Sequence, residues 1–514
     1  MIKEAVMSVL AILLARMLWV FRHATKLIIL ISIHLLMSST SYAEGTQKIS
    51  NKNRSFMSDK IAATDAASAA VNTQNQNPKL EEGALSGNPA YTRLFPGSGA
   101  LGKHLNIPDD WGVKLGGVNM SDTNKLFTGG QKPGAVASNN AFILATSIDL
   151  DKAIGWKGGR FGASLLQVNG QNTNGYAGVV VGYNAIVGTA PFKRTELYTL
   201  YFYQELFKDR LGVRVGKILP TVDFNNVTKV HRFKDDAHYI SSLSSLIYTS
   251  IFVNPTIMPN IGGYYDSAYG MTIHAAPTED TWVNSGVYDG NKATGLPSGI
   301  HNLKVNDYVF AISEAGMTWV IGKDKNPGQF GIGVWHQSGK IDVQGLYGNL
   351  QQNGAEGTYI FGGQRLWTSD SDKIYLSDPV ENEEGNEFKS KRVASITMFY
   401  QYGVNNAKTM LVRQFIGGGF TAFALIADRP DDSFGGGMSL SFLNQNRFRR
   451  ASELTFQTYY QAALIPGALF LQPTLSYIPT PGQIPEHVYY QAKPGEGPNL
   501  PPTVAGTIRL TGVF

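Results

Sequence analysis

From Glu196 to Lys217 the sequence runs as two alternating segments joined by Lys208-Asp209-Arg210, and the rest of the chain repeats this design. Side chains alternate faces along a strand, so Tyr198, Leu200 and Phe202 are predicted on one face and Thr199, Tyr201, Tyr203 and Glu205 on the other. Past the turn, Leu211, Val213 and Val215 lie opposite Gly212, Arg214 and Gly216. A ribbon with one apolar face and one polar or glycine-bearing face has two homes. A soluble sandwich buries the apolar band under a second sheet, whereas a transmembrane barrel turns it toward lipid and keeps the polar face in its lumen.

The remaining sequence favours the barrel. Its 56 Gly, 24 Tyr, 26 Phe and 7 Trp, set against 16% charged residues, suit strands, turns and interfacial aromatic girdles better than helix bundles. Past residue 43 no apolar run approaches the roughly 20 residues that a spanning helix needs, which excludes a helical membrane protein. Cysteine is absent, and with it disulfides, Cys-ligated zinc and thiol nucleophiles.

At the amino terminus, Arg22, His23 and Lys26 precede the apolar run Leu27 to Met37, and Ser38 to Ala43 ends in a small-x-Ala pattern. This reads as a secretory signal peptide over residues 1–43, cleaved after Ala43, with translation starting at Met1 or Met17; a membrane anchor is the alternative. Its loss lowers the formal net charge from +5 to +2, which removes the main support for nucleic-acid binding. Residues 44–94 are rich in Ala, Ser, Asn, Gln and Thr, the composition of a flexible leader.

Strand-like runs begin near Trp111. They include Ala141 to Leu150, Arg160 to Gly170, Met271 to Ala275, Trp282 to Tyr288, Phe310 to Val320, Phe330 to Gln337, Val393 to Tyr402, Thr409 to Phe415, Phe420 to Ile426, Met438 to Leu443, Leu454 to Leu464, Leu469 to Ile478 and Thr503 to Phe514. Sixteen strands would leave about 25 residues for each strand with its connection, although 14 to 18 strands fit as well. Outward sets are Met438, Leu440 and Phe442; Leu454, Phe456 and Tyr460; and Ile396, Met398, Tyr400 and Tyr402, while their partners Ser439, Ser441, Glu453, Thr455, Gln457, Thr397 and Gln401 are polar and expected to line water. On this reading Leu440→Arg is costly and Ser439→Arg is tolerated. The last strand alternates from Val504 to a terminal Phe514, like the assembly signal of bacterial outer-membrane barrels, although Gly512 stands where a bulky residue is usual.

The order Asp149-Leu150-Asp151-Lys152-Ala153-Ile154-Gly155-Trp156-Lys157-Gly158-Gly159, then Leu211 to Gly216, Val287-Tyr288-Asp289-Gly290, Glu314-Ala315-Gly316, Gly331 to Trp335, Arg365-Leu366-Trp367, Arg429-Pro430-Asp431-Asp432 and Leu471 to Ile478 resembles the carbohydrate-selective porins of the OprB type. The resemblance covers roughly residues 95–514 and implies an all-β, antiparallel transmembrane barrel in the outer membrane of a Gram-negative bacterium, passing sugars by passive diffusion. It implies outer-membrane lipid and the barrel assembly machinery as partners, with oligomeric state left open. It also implies a constriction of charged and aromatic side chains. Sugars offer hydroxyls for charge-assisted hydrogen bonds and flat C–H faces for stacking, and weak binding lets them leave. Arg214, Glu314, Trp335 and Arg365 sit in matching motifs, and Tyr203 and Glu205 share the inward face of the first hairpin. The same residues could instead form an ion-pair lattice that stiffens the wall.

Other constellations carry less. His231 and His238 flank Asp235 and Asp236, but the interleaved Arg232 and Lys234 would repel a cation. The Glu381 to Glu387 cluster lacks the alternating ligand register of a calcium loop. No serine or aspartate nucleophile has a histidine in an evident motif, so no enzyme, metal or cofactor is expected; a barrel enzyme or a polysaccharide-export channel is the competing class. Glycine runs 417–419 and 435–437 are expected to ease curvature and close approach.

One stretch stands apart. Between Leu219 and Met271 lie about fifty residues, too many for a plain rim loop, with the aromatic and apolar series Tyr239, Ile240, Leu243, Leu246, Ile247, Tyr248, Ile251, Phe252 and Val253. Such a surface must be buried, so part of 221–268 is predicted to fold into the barrel mouth, with Tyr239, Tyr248 and Phe252 in a constriction loop. An additional strand pair is the alternative.

Overall fold

The computed structural model describes residues 99–186, 191–207, 210–225, 245–262, 266–278, 280–294, 308–322, 326–369, 375–381, 387–392, 394–485 and 499–514. All belong to the compact unit Pro78–Phe514; the unit Met1–Asn77, and with it the proposed signal peptide and leader up to residue 94, lies outside the described residues.

The strands are β1 (Val113–Thr128), β2 (Val136–Asp149), β3 (Gly159–Asn169), β4 (Lys193–Leu206), β5 (Leu211–Ile218), β6 (Ala268–Ala275), β7 (Thr281–Asp289), β8 (Val309–Ile321), β9 (Asn326–Gly345), β10 (Gly348–Thr368), β11 (Tyr375–Glu381), β12 (Glu387–Arg392), β13 (Ser395–Asn405), β14 (Val412–Phe423), β15 (Ser433–Leu443), β16 (Ser452–Ile465), β17 (Leu469–Ile478) and β18 (Thr503–Val513). Sixteen of them form one closed antiparallel barrel, while β11 and β12 form a separate two-stranded sheet in the connection from β10 to β13. Closure pairs β1 with β18 from Val118↔Val513 to Thr128↔Val504, leaving the barrel no free edge. Phe514 extends the seam: its N–H donates to Gly117 O at 3.0 Å, its own O accepts from Gly117 N–H at 2.6 Å, and its ring stacks on Phe142 at 5.8 Å.

The two rims differ. One carries the connections 150–158, 207–210, 276–280, 322–325, 424–432 and 466–468 with the longer 369–394; the other carries 129–135, 170–192, 219–267, 290–308, 406–411, 444–451 and 479–502. Along β15, β16 and β18 the parity matches the sequence pattern. Met438, Phe442, Phe456, Ile508 and Leu510 are exposed on the outer face, while Ser439, Ser441, Glu453, Thr455, Gln457, Thr507 and Arg509 are buried inside.

Two readings need correction, and one barrel strand has no counterpart among the predicted runs. Tyr198 points inward rather than with Leu200, because Ser164 pairs with Thr199 but Leu165 with Leu197, and this one-residue bulge reverses the facing of β4 beyond it. The runs 409–415 and 420–426 form the single strand β14, since Gly417–Gly419 lie within it and pair on both sides. β10 escapes a reading by alternation because polar residues and glycines occupy both faces of its first half.

The interior is not uniformly polar either. Val118, Ile143 and Leu166 are buried on the inner face of β1–β3, and Trp282, Phe310, Trp335, Tyr359 and Phe361 on that of β7–β10. These rings lie against glycines of neighbouring strands: a Cβ on Gly316 would sit 2.1 Å from Trp282 Cζ2, and one on Gly333 2.1 Å from Tyr359 Cζ. The sequence's weight of glycine and aromatics therefore lays large rings flat along the wall.

Two measurements check this architecture. Unheated protein is expected to migrate differently from boiled protein on a denaturing gel, since the closed sheet satisfies its backbone internally. Met438→Arg, at the middle of β15 on the outer face, is expected to cost about 2–4 kcal/mol in denaturant unfolding from lipid.

Candidate pore constriction

Two long connections from one rim fold inside the barrel. No strand interrupts 219–267 among its described residues, and β5 pairs directly with β6. Residues 245–256 run across the inner faces of β17, β16, β15 and β13, and the wall's polar side chains hold their backbone. Ser245 O accepts from Gln472 Nε2 at 2.7 Å and Ser245 N–H donates to Tyr459 Oη at 3.1 Å. Gln457 Oε1 accepts from the N–H groups of Ile247 and Tyr248 at 2.6 and 3.1 Å. Further on, Ser250 Oγ donates to Ser439 Oγ at 2.9 Å, Ser250 O accepts from Gln401 Nε2 at 2.7 Å, and Thr256 O accepts from Asn405 Nδ2 at 2.8 Å. Leu246, Tyr248, Ile251, Phe252, Ile257 and Ile261 join one buried cluster with the wall residues Trp282, Phe310, Trp335, Tyr359, Phe399 and Tyr459.

The second insertion, within 170–192, was not legible as one. It meets the first through backbone bonds, Ala185 N–H to Ile247 O at 2.7 Å and Thr249 N–H to Gly182 O at 3.0 Å. Glu453 on β16 accepts from Val180 N–H at 2.7 Å, Val181 N–H at 2.9 Å and, from the connection before β18, Gly482 N–H at 2.9 Å. Asn184 is tied to the closing seam. Its Nδ2 donates to Asp122 and Asn124, and Asp122 in turn takes a two-point ion pair from Arg509 at 2.8 and 2.7 Å. The signal lay in Val179–Val181, Tyr183 and Ile186, apolar residues in a loop with no strand alternation. Burial raises the pKa of the Tyr183 and Tyr248 phenols, with the Asp122 carboxylate adding to the effect at Tyr183, so both stay neutral.

Across the lumen, Pro220–Asp223 makes one helical turn that brings Asp223 back along β5. Asp223 Oδ1 accepts from Arg214 Nη1 at 2.6 Å, Oδ2 accepts from Thr272 Oγ1 at 3.0 Å, and His274 Nε2 lies 3.5 Å from Oδ1. The Arg214 guanidinium lies 5.3 and 5.5 Å from the Tyr201 and Tyr203 ring centroids, a cation–π arrangement. Its side chain keeps 24% exposure, against 1% for Asp223. Glu314 is buried, accepting from Asn225 N–H at 2.6 Å and Tyr359 Oη at 2.7 Å, so it grips the start of the same loop. Trp335 is buried too, stacked on Phe310 at 6.1 Å.

Arg214, Tyr203, Glu314 and Trp335 thus share the inner face, with Arg214 and Tyr203 in contact. Arg365, paired in register with the inward Thr397, precedes a bulge near the end of β10, and Glu205 pairs with Gly212 near the opposite end of β5 from Ile218. Tyr248 and Phe252 are buried in the inserted loop, while Tyr239, His231 and His238 lie outside the described residues. Arg429 ion-pairs with Asp432 within its rim turn at 2.7 Å. Among the described residues no group of three or more His, Asp or Glu side chains could hold a metal.

The loop's seat corrects one expectation. Ser439 does not face open water, so Ser439→Arg would displace the loop rather than be tolerated. Inward glycines make room for the insertion: a Cβ on Gly437 would lie 2.6 Å from Leu246 Cδ1, and one on Gly403 2.6 Å from both Asn254 Oδ1 and Thr256 Oγ1. Gly403→Val is therefore expected to unseat residues 254–256, destabilising the protein by about 1–3 kcal/mol and raising single-channel conductance in planar bilayers while the barrel still forms.

Residues 135–514 match the model of the family described as carbohydrate-selective porin, OprB family. The high-pH structure of Pseudomonas putida OprB is similar to the chain at 15% identity and a TM-score of 0.63, covering 83% of this chain and all (100%) of that one. The low-pH structure of the same protein gives 13% identity and a TM-score of 0.47, over 81% of this chain and 96% of that one. The outer membrane channel DcaP of Acinetobacter baumannii gives 10% and 0.41, over 78% and 97%. No curated protein matches the sequence. With a family model spanning most of the barrel, the chain belongs to the OprB family of carbohydrate-selective porins, channels of the Gram-negative outer membrane.

Proposed function

We propose that the chain admits mono- and small oligosaccharides by passive diffusion through a pore narrowed by the two inserted loops, with Arg214 as the principal sugar contact. The observation that carries this is the state of Arg214: inward, flanked by Tyr201 and Tyr203, fixed by Asp223 and still partly exposed. A guanidinium held in this way offers charge-assisted hydrogen bonds to hydroxyls, and the adjacent rings offer a face for sugar C–H groups. Fixed geometry limits the entropy lost on contact, while one such contact binds weakly enough for release. Glu314 and Trp335 act mainly by holding the loop and wall in place, and Arg365 and Glu205 set charge toward the rim.

The rim with the long connections faces the exterior and the rim with the short turns faces the periplasm, as is usual for such barrels. Residues 1–43 direct export and are removed after Ala43. The terminal strand ending in Phe514 is the segment the assembly machinery reads, the outward apolar band meets lipid, and the channel works without cofactor or catalysis.

Vesicles carrying the purified protein are expected to swell in sugars at rates that fall with solute size, and faster than in charged solutes of equal size. Absence of permeability to any small sugar would contradict the proposal. Arg214→Gln, which keeps a donor toward Asp223, is expected to weaken sugar block of single-channel current about tenfold, the scale of one charge-assisted hydrogen bond.

A further inference from the structure

β9 and β10 outrun the wall. β8 last pairs with β9 at Phe310↔Gln337, and β13 with β10 at Gly357↔Asn405, so residues 338–356 form a ladder only with each other above the long-loop rim, with Val309 N–H donating to Ser338 Oγ at 2.8 Å and Tyr308 Oη to Lys340 O at 2.7 Å at its base. At the base of this hairpin the register slips: Asn353 faces Lys340, but Ala355 faces Gln337. Ser338 and Gly339 thus oppose the single residue Gly354, and both glycines have positive φ, +91° and +68°. A left-handed residue on each strand at one level, next to the last wall pairing, relieves both strands of the stiffness of a regular ladder.

The hairpin does not stand upright. Its tip reaches the connection between β15 and β16, where Leu346 N–H donates to Asn446 O at 2.7 Å, although β13, β14 and β15 intervene in the barrel order. Nearer its base, Glu356 and Asn406 exchange bonds: Glu356 N–H to Asn406 Oδ1 at 3.0 Å, and Asn406 Nδ2 to Glu356 Oε1 at 3.0 Å. Ile341 and Leu346 are buried, with Ile341 and the partly buried Val343 in the cluster that includes the inserted loop's Ile257 and Met258. Tyr347 at the turn is 79% exposed. An isolated two-stranded hairpin is marginal in water, so this one depends on its resting place. Beyond Asn406, that place is secured by Lys408 N–H donating to Gln352 Oε1 and, at the far end, by one backbone bond from Leu346.

We propose that residues 338–356 form a lid, hinged at Gly339 and Gly354, that in its docked state lies across the mouth above β13–β15 and restricts the passage of solutes. The lid rests on the reading of the chain as a solute channel. It moves by rotation at the bulge, exchanging the Leu346–Asn446, Lys408–Gln352 and Tyr308–Lys340 bonds and the apolar contacts of Ile341 and Leu346 for water.

The absence of cysteine makes a clean trap available. Leu346→Cys combined with Asn446→Cys is expected to form a disulfide on oxidation. The oxidised channel should show fewer open–closed fluctuations and at least twofold slower vesicle swelling in a disaccharide, both restored by reductant. A second variant, with 341–353 replaced by a two-residue turn, should swell vesicles at least twofold faster than the unaltered protein. Swelling that is the same oxidised and reduced, or unchanged by the shortened hairpin, would overturn the lid, as would failure of the two cysteines to cross-link in protein that migrates as a folded barrel. If the unaltered protein itself leaves vesicles impermeable, the channel reading has failed instead, so the two failures are distinguishable.

Discussion

The lumen depends on the hydrogen bonds that Glu453 and Gln457 of β16 make to loop backbone. A polar side chain inside a barrel must find partners, and so must the backbone of any segment that leaves the rim and enters the interior. Here each satisfies the other. Glu453 takes three backbone N–H groups from two connections, and Gln457 takes two from 219–267 while giving its amide to Tyr183 O. Two residues four apart on one strand therefore fix the relative heights of the two inserted loops and tie the connection before β18 to them.

Around this anchor the interior divides by chemistry. Where amides and hydroxyls line the wall, on β13–β18, the inserted chain is held by hydrogen bonds. Where rings and aliphatic groups line it, on β7–β10, the loop's Tyr248, Ile251 and Phe252 contribute to a shared apolar cluster. The seam is held by the buried Arg509–Asp122 pair, whose significance lies less in net stabilisation than in fixing Asn184 and the loop that carries it. On the proposed function and lid, restriction has two levels, a rigid one set by loops bonded into the wall and an adjustable one set by the hairpin above them.

Much of this was legible in the sequence. Period-two alternation yields the strands and, for β15, β16 and β18, which side chains face lipid, because a closed sheet enforces that parity over its whole length. The long apolar stretch 239–253 announces an inserted loop, since such a surface cannot stay in water. What alternation cannot show is a break in itself. The bulge at Tyr198 reverses facing without any compositional sign, and Gly417–Gly419 read as an interruption although they pair continuously. Nor does the sequence reveal what a polar inner face meets. Ser439, Gln457 and Glu453 have the same alternating signature whether their partner is water or a folded-in chain, and only the tertiary arrangement distinguishes the two. The same ambiguity surrounds Arg214 and Glu314, which parity places on one face but which differ in exposure because the loop covers one and leaves the other partly open.

The central claim is that backbone anchored on the inner wall, rather than the wall itself, sets the width of the pore. Its most direct test is single-channel conductance in planar bilayers after residues 245–262 are replaced by a short Gly-Ser linker, in protein whose heat-modifiable migration shows a closed barrel. Conductance is expected to rise severalfold and sugar block to weaken together. A folded barrel with unchanged conductance would contradict it.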